Sequence, residues 1–460
     1  MNSTPEQLRF ASIPAHSVRA DFAGGGLSSD LGPVLLRGVD LQIGLTKRIA
    51  AVLPDRRHQS YVDHSYHDLL TQRIYQIGCG YEDGNDSNSL RHDPMFKLGA
   101  ARLPFDDDAA LASGATISRF EHAASRQDIY RVSKVLVEQF IAGFAAPPKS
   151  LILDLDHSED ACYGQQPLAF YHHHYGSTCY LPLMIFDGQC GALVAAVLRP
   201  GKRPFGDENA MIMRRVLTLI RHHFPDTHIL VRGDGHFSGP ELMGLIDSMP
   251  NVDFIFGFSC NVKLLAMAEP TRLRAIDLWV SVQTQDVVPD AVRLFDEFIY
   301  RAGSWPKAWR VLMKAEVRAP GENTRFIVTS LPGLDAGMLY EEIYCARGQA
   351  ENYIKHLKDD LASDRTSCTS FLANCMRLLL HAAAYVLHQQ LRTQALQHTA
   401  LSQAQPATVI ARLFKIAVQV RQCKNKIILH LPGACPLKHL LQVLTERLYL
   451  PTPAKIINSS

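Results

Sequence analysis

In this 460-residue chain the residues whose type and spacing can do chemistry are a few aspartates at the ends of apolar runs and one charged helical stripe. Leu151-Ile152-Leu153-Asp154-Leu155-Asp156 reads as a strand ending in two acids, and the apolar run His228 to Val231 leads into Arg232-Gly233-Asp234-Gly235. Strand ends of this kind are where α/β sheets build their sites. An aspartate inside a strand is costly to bury unless something uses its charge. Carboxylates on adjacent strand ends suit a hard divalent cation, because Mg²⁺ prefers oxygen ligands at about 2.0 to 2.1 Å and keeps positions for water and phosphate. Asp154 and Asp156 lie two residues apart on one face of their strand, so either can be the acid that strand supplies.

A third acid sits in a segment that the sequence presents as one long helix, Ala336 to Leu361. At about 100° per residue from Tyr344, Arg347 falls near 300°, Glu351 near 340°, Lys355 near 20° and Lys358 near 320°, which makes one stripe. Ile343, Ala346, Ala350, Ile354, Leu357 and Leu361 fall near 200° to 280°, an apolar face that adjoins the stripe without overlapping it. A solvated helix would also carry i,i+4 ion pairs, but Arg347 precedes Glu351, the less favourable order for that purpose.

The elements that must hold these residues change character along the chain. Up to residue 148 helices are expected at Val34 to Leu45, Tyr66 to Ile77, Ile117 to Ala123 and Asp128 to Phe144, with a polar loop from Gly78 to Arg91, and Pro147-Pro148 marks a boundary. Strands then follow at Leu151 to Asp156, Cys179 to Phe186, Ala192 to Leu198, His228 to Val231 and Asp253 to Phe258, with helices Asp207 to His223 and Pro240 to Ser248 among the later ones. The order β-β-β-α-β-α-β implies a mixed sheet covered by helices. Residues 264–334 break that alternation and read as a β-rich insertion holding all three tryptophans, of which Trp305 and Trp309 read as core residues. Residues 335–392 read as two helices that return to the α/β domain begun at 149–263, and 393–460 as a separate basic region. His172-His173-His174 on an extended segment point to alternating faces, so at most two can share a metal, and they read as surface or phosphate-neighbour histidines.

Composition narrows the class. Hydrophobic residues make up 47% and charged residues 20%, which suits a folded globular protein rather than a disordered one. No run approaches the roughly 18 to 20 uninterrupted apolar residues of a membrane span, and the N-terminus shows no basic-then-apolar leader, so a cytoplasmic, membrane-free protein is expected. The ten cysteines form no C-x-x-C pair and read as reduced thiols. Net charge is only +2, yet residues 366–460 carry ten Lys/Arg against the single acid Glu446. That tail is the electrostatic footprint of a nucleic-acid partner.

Tyr344, Arg347, Glu351 and Lys358 match at all four positions the Y-x2-R-x3-E-x6-K signature of bacterial insertion-sequence transposases of the DDE type. Leu153 to Ser158 resembles the segment around that family's first catalytic aspartate, and Arg232 to Phe237 the segment around its second. The resemblance implies a ribonuclease H-like α/β fold in which Asp156, Asp234 and Glu351 hold two Mg²⁺ ions, with Mn²⁺ able to substitute. It favours Asp156 on the first strand, because a small polar pair follows the catalytic acid, and leaves Asp154 as a supporting or substitute ligand. It implies that Tyr344, Arg347, Lys355 and Lys358 bind DNA phosphates, and that Trp305 or Trp309, if not core residues, stack on a displaced base. It also implies that residues 1–148 and 393–460 bind the element's ends, and that a homodimer joins double-stranded element ends to target DNA in a bacterial, nucleoid-associated setting. No Gly-x4-Gly-Lys-Ser/Thr loop is present, as suits a reaction that needs no nucleotide. A catalytically silent DNA-binding protein of the same fold is the alternative.

Overall fold

The computed structural model describes residues 8–106, 110–204, 206–284 and 289–449; the end of the basic tail, with Lys455, lies outside them. The chain divides into two compact units, Met1–Asp128 with Asp359–Ser363 and Leu380–Ser460, and Ile129–Lys358 with Asp364–Leu379. The first unit opens with an exposed hairpin, β1 (Leu8–Ile13) and β2 (His16–Ala20), then β3 (Leu27–Ser28) and helices that include Gly32–Ile43, Tyr66–Gly78 and Gly114–His122.

In the second unit β4 (Ser150–His157), β5 (Asp160–Ala161), β6 (Phe170–His172), β7 (Ser177–Tyr180), β8 (Leu183–Asp187), β9 (Leu193–Val197), β10 (His228–Gly233), β11 (Val252–Phe258), β12 (Val292–Tyr300), β13 (Trp309–Arg318) and β14 (Gly321–Thr329) follow in order. Eight of them form one sheet, β12-β13-β14-β11-β10-β4-β8-β9. β4, β10 and β11 are parallel, and β8 runs antiparallel between β4 and β9. That is the mixed sheet expected from the strand order.

The stretch 264–334 departs from a separate β-rich insertion. It opens as part of a 21-residue helix, Val262–Val282, and its three strands then continue the main sheet, with β14 antiparallel to β11. The unpaired edge that β11 would otherwise present is a ready template for such an addition. Trp305 and Trp309 are 3% and 5% exposed within the core of this unit, so neither is a base-stacking ring. Trp309 stands edge-on to Phe254 and Trp305 packs on Phe258 and Tyr300.

Alternation along β4 decides what each face sees. Leu151, Leu153 and Leu155 are fully buried against Val137, Phe140, Met213, Leu217, Leu242 and Ile246 from the helices on one side. Ile152 faces the opposite side, where Leu230, Ile255, Leu312 and Ile327 pack against Ala336, Leu339, Tyr340 and Ile343. The two acids of β4 share that second face with the signature segment.

The segment itself is not a regular α-helix. Leu339–Tyr344 is a π turn, Cys345–Gly348 a 3-10 turn, Gln349–Lys355 α and His356–Asp360 π again. Ala350, Ile354, Leu357 and Leu361 are buried as the periodicity predicts, whereas Ala346 is exposed. In a 3-10 turn residues three apart eclipse, which brings Arg347 over Tyr344 rather than about 60° away. Its guanidinium lies 5.8 Å from the Tyr344 ring centroid.

The first unit is closed by the C-terminal part of the chain. β15 (Val418–Cys423) pairs with β16 (Lys426–His430) and also with β3, Val418 opposite Ser28. The buried Asp30 accepts from Lys415 Nζ at 2.7 Å and from the Tyr81 hydroxyl at 2.7 Å, and Lys415 covers the Tyr81 ring at 3.7 Å. Arg73, fully buried, pairs with Glu121 and donates to the carbonyls of Tyr81, Glu82 and Asp83, which fixes the polar loop after Gly80. The two terminal regions, expected to be separate, therefore belong to one core. Phe371–Ala395 is, among the described residues, long and apolar enough to cross a membrane, but 83% of that window is buried in the protein and Asn374, Arg377 and His381 interrupt it.

His388 on this helix run reports on the first unit. Its Nε2 lies 2.7 Å from the Gly78 carbonyl beside the Phe414 ring, and burial pulls its pKa down to about 4. The unfolded chain takes up this proton below about 6.5 while the folded one resists until about 4, so stability present above pH 6.5 is lost as pH falls through that window. Between pH 7 and 4 the wild-type unfolding free energy should drop about 3 kcal/mol further than that of His388→Gln, measured by denaturant melts.

Candidate active site

Parallel register places the first two acids side by side. Arg232 lies opposite Asp154 and Gly233 opposite Leu155, so Asp156 and Asp234 are the next residues on adjacent strands. β11 brings Gly257 alongside, where a Cβ would come within 2.8 Å of both the Gly235 nitrogen and the Tyr344 hydroxyl. Only glycine lets the tyrosine of the signature segment approach this backbone.

Asp154 and Asp156 have opposite fates. Asp154 is fully buried and takes both prongs of the Arg232 guanidinium, at 2.6 and 2.7 Å, while the third Arg232 nitrogen donates to the Ile343 carbonyl at 2.7 Å. A Cβ on Gly188 would strike both partners at 2.5 Å. The acid is committed to an ion pair that ties β4 and β10 to the signature segment, and it is not a free ligand. Asp156, one step further along the same face, meets the Arg347 guanidinium at 3.4 Å and a bond from the His157 backbone. Burial raises its pKa to about 7; Arg347 pulls it down, and the charges of Asp234 and Glu351 push it up.

Asp234 caps the 3-10 turn Gly235–Phe237. It accepts from the His236 backbone N–H and from His236 Nδ1, both at 2.9 Å. Burial works to raise its pKa, but these bonds and the neighbouring imidazole hold it below the usual range. His236 is correspondingly raised by Asp234. Glu351 is exposed on the α turn, and its charge acts on Asp156 and Arg347. Arg347 is pulled down by burial but raised overall by Asp156, Tyr344, Asp234 and Glu351.

Tyr344, Arg347 and the three acids are thus brought together, while the two lysines of the stripe go elsewhere. Lys355 is exposed, and Lys358 donates a short hydrogen bond to the Glu159 carbonyl just beyond β4. Arg232, His236 and Gly257 were not singled out by spacing. A base two residues before Asp234 and in register with an acid two residues before Asp156 is the signal that marks the ion pair.

The donor set fits a hard divalent cation in kind. Asp156 and Asp234 sit side by side and the charge of Glu351 acts on Asp156, whose pKa burial pushes up to about 7 because Arg347 does not offset it. Among the described residues no group of three His, Cys, Asp or Glu stands at metal-ligand spacing, since Asp156 is turned to Arg347 and Asp234 to His236.

The family model for the transposase DDE domain, group 1, matches residues 10–452. The chain belongs to that family. Among curated proteins none matches. Among solved structures it is similar to the cryo-EM structure of a piggyBac transposase synaptic complex with hairpin DNA, at 11% identity and a TM-score of 0.40, over 92% of this chain and 83% of that one.

Family membership and geometry give the two acids of β4 different tests. Asp154→Asn strands the Arg232 charge in the interior and should cost about 3 to 5 kcal/mol of stability. Asp156→Asn removes a carboxylate that burial disfavours, so the metal-free protein should melt no lower than wild type. Thermal melts of both variants check this, and a lower melting temperature for Asp156→Asn than for Asp154→Asn would reverse the assignment.

Proposed function

We propose that this chain is the DNA transposase of a bacterial insertion sequence, cutting element ends and joining them to target DNA with Asp156, Asp234 and Glu351 as its catalytic carboxylates. One observation carries the reading: Asp156 and Asp234 end adjacent parallel strands in register, and the charge of Glu351 and the guanidinium of Arg347 both act on Asp156. The three acids would hold Mg²⁺, which supplies activation of the attacking oxygen and stabilisation of the leaving one when bound.

The chain's own groups then have separable tasks. His236 fixes the orientation of Asp234 through two hydrogen bonds. Arg347, engaged with Asp156 in the free protein, offers a planar fork to a phosphate beside the scissile bond. Tyr344 is held against Gly257 with its hydroxyl toward the same place. Water attack frees a 3′-hydroxyl, and that hydroxyl attacks a target phosphodiester. Each step forms one P–O bond and breaks one, so no nucleotide is consumed. Double-stranded DNA is the partner, a homodimer is the assembly that would hold two ends, and the bacterial nucleoid is the setting.

Arg421, Lys424 and Lys426, exposed on the β15–β16 hairpin, are the part of the basic tail best placed to meet DNA. Removing everything after Gln405 would not test this, because it also removes β15 and Lys415 from the core of the first unit.

Nicking of labelled element ends in Mg²⁺ tests the reading. Asp156→Asn, Asp234→Asn and Glu351→Gln should each abolish cleavage with DNA binding retained, and Arg347→Lys should reduce it strongly because the fork is lost. Cleavage retained in any of the three acid variants sinks the assignment; a wild-type protein that binds ends without cutting them supports the silent alternative. Replacing Arg421, Lys424 and Lys426 with alanine should flatten the salt dependence of binding, by roughly 0.9 in log-log slope for each phosphate that is no longer neutralised.

A further inference from the structure

Between Asp156 and β8 the chain leaves the main sheet and builds a small three-stranded arm, β5-β7-β6. Its position is set by register. Asp156 pairs with Met184 and His157 with Leu183 on β8, while β7 ends at Tyr180 and runs into β8 through Leu181-Pro182, so the arm grows out of the strand beside the first acid. Its base is fixed: Lys358 holds the Glu159 carbonyl, Cys162 and Gln166 both reach Thr366, the Tyr180 hydroxyl donates to the Pro167 carbonyl at 2.7 Å, and Gly201 donates to the Leu168 carbonyl.

Residues 161–186 contain no Asp, Glu, Lys or Arg. Asp160, at the arm's root, is fully buried with neither carboxyl oxygen hydrogen-bonded, and burial raises its pKa well above the usual range. The tip instead carries rings. Tyr171 is 59% exposed with His173 edge-on at 5.2 Å, and Tyr175 is flanked by His172 at 5.1 Å and His174 at 4.9 Å. Lys202 caps the Phe170 ring from behind at 4.1 Å. At the start of the arm His157 stacks on Phe237 and stands edge-on to His236, the partner of Asp234. The charges of Asp156 and Asp234 act, after burial, on the Tyr175 hydroxyl, so the tip lies within their field.

We propose that this arm is a stacking platform for unpaired bases of a DNA strand whose end lies at Asp156 and Asp234. The proposal rests on the DNA-processing reading above and adds what that reading lacks, a place for bases that have left the duplex. Exposed rings bind unpaired bases without regard to sequence because every base has a π face, and the Glu159 carboxylate at the arm's base is engaged by the Ser177 hydroxyl. A paired duplex covers its base faces and offers these rings only a backbone. The arm also takes over the task that burial denies to Trp305 and Trp309.

The test uses the full-length protein without divalent cation, so that nothing is cut, and two probes: a short blunt duplex, and the same duplex with a single-stranded tail bearing 2-aminopurine. Wild type should bind the tailed probe roughly tenfold more tightly and quench its fluorescence. Tyr171→Ala, and the triple change with His173→Ala and Tyr175→Ala, should lose both effects while binding the blunt duplex normally. Tyr171→Phe with Tyr175→Phe should keep them, and the largely exposed Tyr171 ring can be removed without disturbing packing. A wild-type protein that binds both probes equally, or alanine variants that keep the tail's advantage and the quenching, overturns the platform and leaves the transposase reading standing. Failure to bind either probe overturns both.

Discussion

Everything in the candidate site hangs on the buried fork between Arg232 and Asp154. Two charges out of water are stable only if their remaining hydrogen-bonding capacity is used, and here the third guanidinium nitrogen is taken by the Ile343 carbonyl. One side chain thus fixes three things: the register of β4 against β10, the closeness of the Asp187-Gly188 turn, and the place where the signature segment crosses the sheet. Asp156, Asp234 and Tyr344 each lie within two residues of an anchored partner. Their convergence follows from that anchor and not from any attraction among themselves, since two neighbouring carboxylates repel.

The irregular signature segment is the second constraint. A straight α-helix would leave Arg347 about 60° from Tyr344. The π turn followed by a 3-10 turn aligns them, and the α turn that follows leaves Glu351 exposed, where its charge still reaches Asp156. Gly348, a weak helix former in the middle of the run, is the one mark of this in the sequence.

What the sequence made legible follows from what local chemistry can encode. The acids at strand ends and the apolar face of Ala350, Ile354, Leu357 and Leu361 are periodicities and neighbours, and each stands in the structure as read, whereas the strand read over Cys179 to Phe186 breaks at Leu181-Pro182 into β7 and β8, which lie in different sheets. Long-range pairings left weaker traces. Nothing local in Val311 to Ser330 says that its strands will join the main sheet at β11, and nothing near Trp309 says that Phe254 will cover it. The choice between Asp154 and Asp156 needed the register with Arg232, which spacing alone does not give. The basic tail was legible as charge, but the use of Lys415 against Asp30 inside a core was not.

The pairing of β3 with β15 has a consequence for synthesis. Synthesis runs from the N-terminus, so Ser28 emerges long before Val418, its partner, exists. Asp30, meanwhile, has no lysine to meet until residue 415 is made. Domains generally fold as units during synthesis, and the eight-stranded sheet is contiguous enough to form first, leaving the earliest-made helices waiting for the latest-made strand. A messenger cut short between the Glu351 and β15 codons therefore yields the acids of the site without the core that closes the first unit. Full-length translation becomes the checkpoint that separates a finished enzyme from a fragment carrying the same carboxylates.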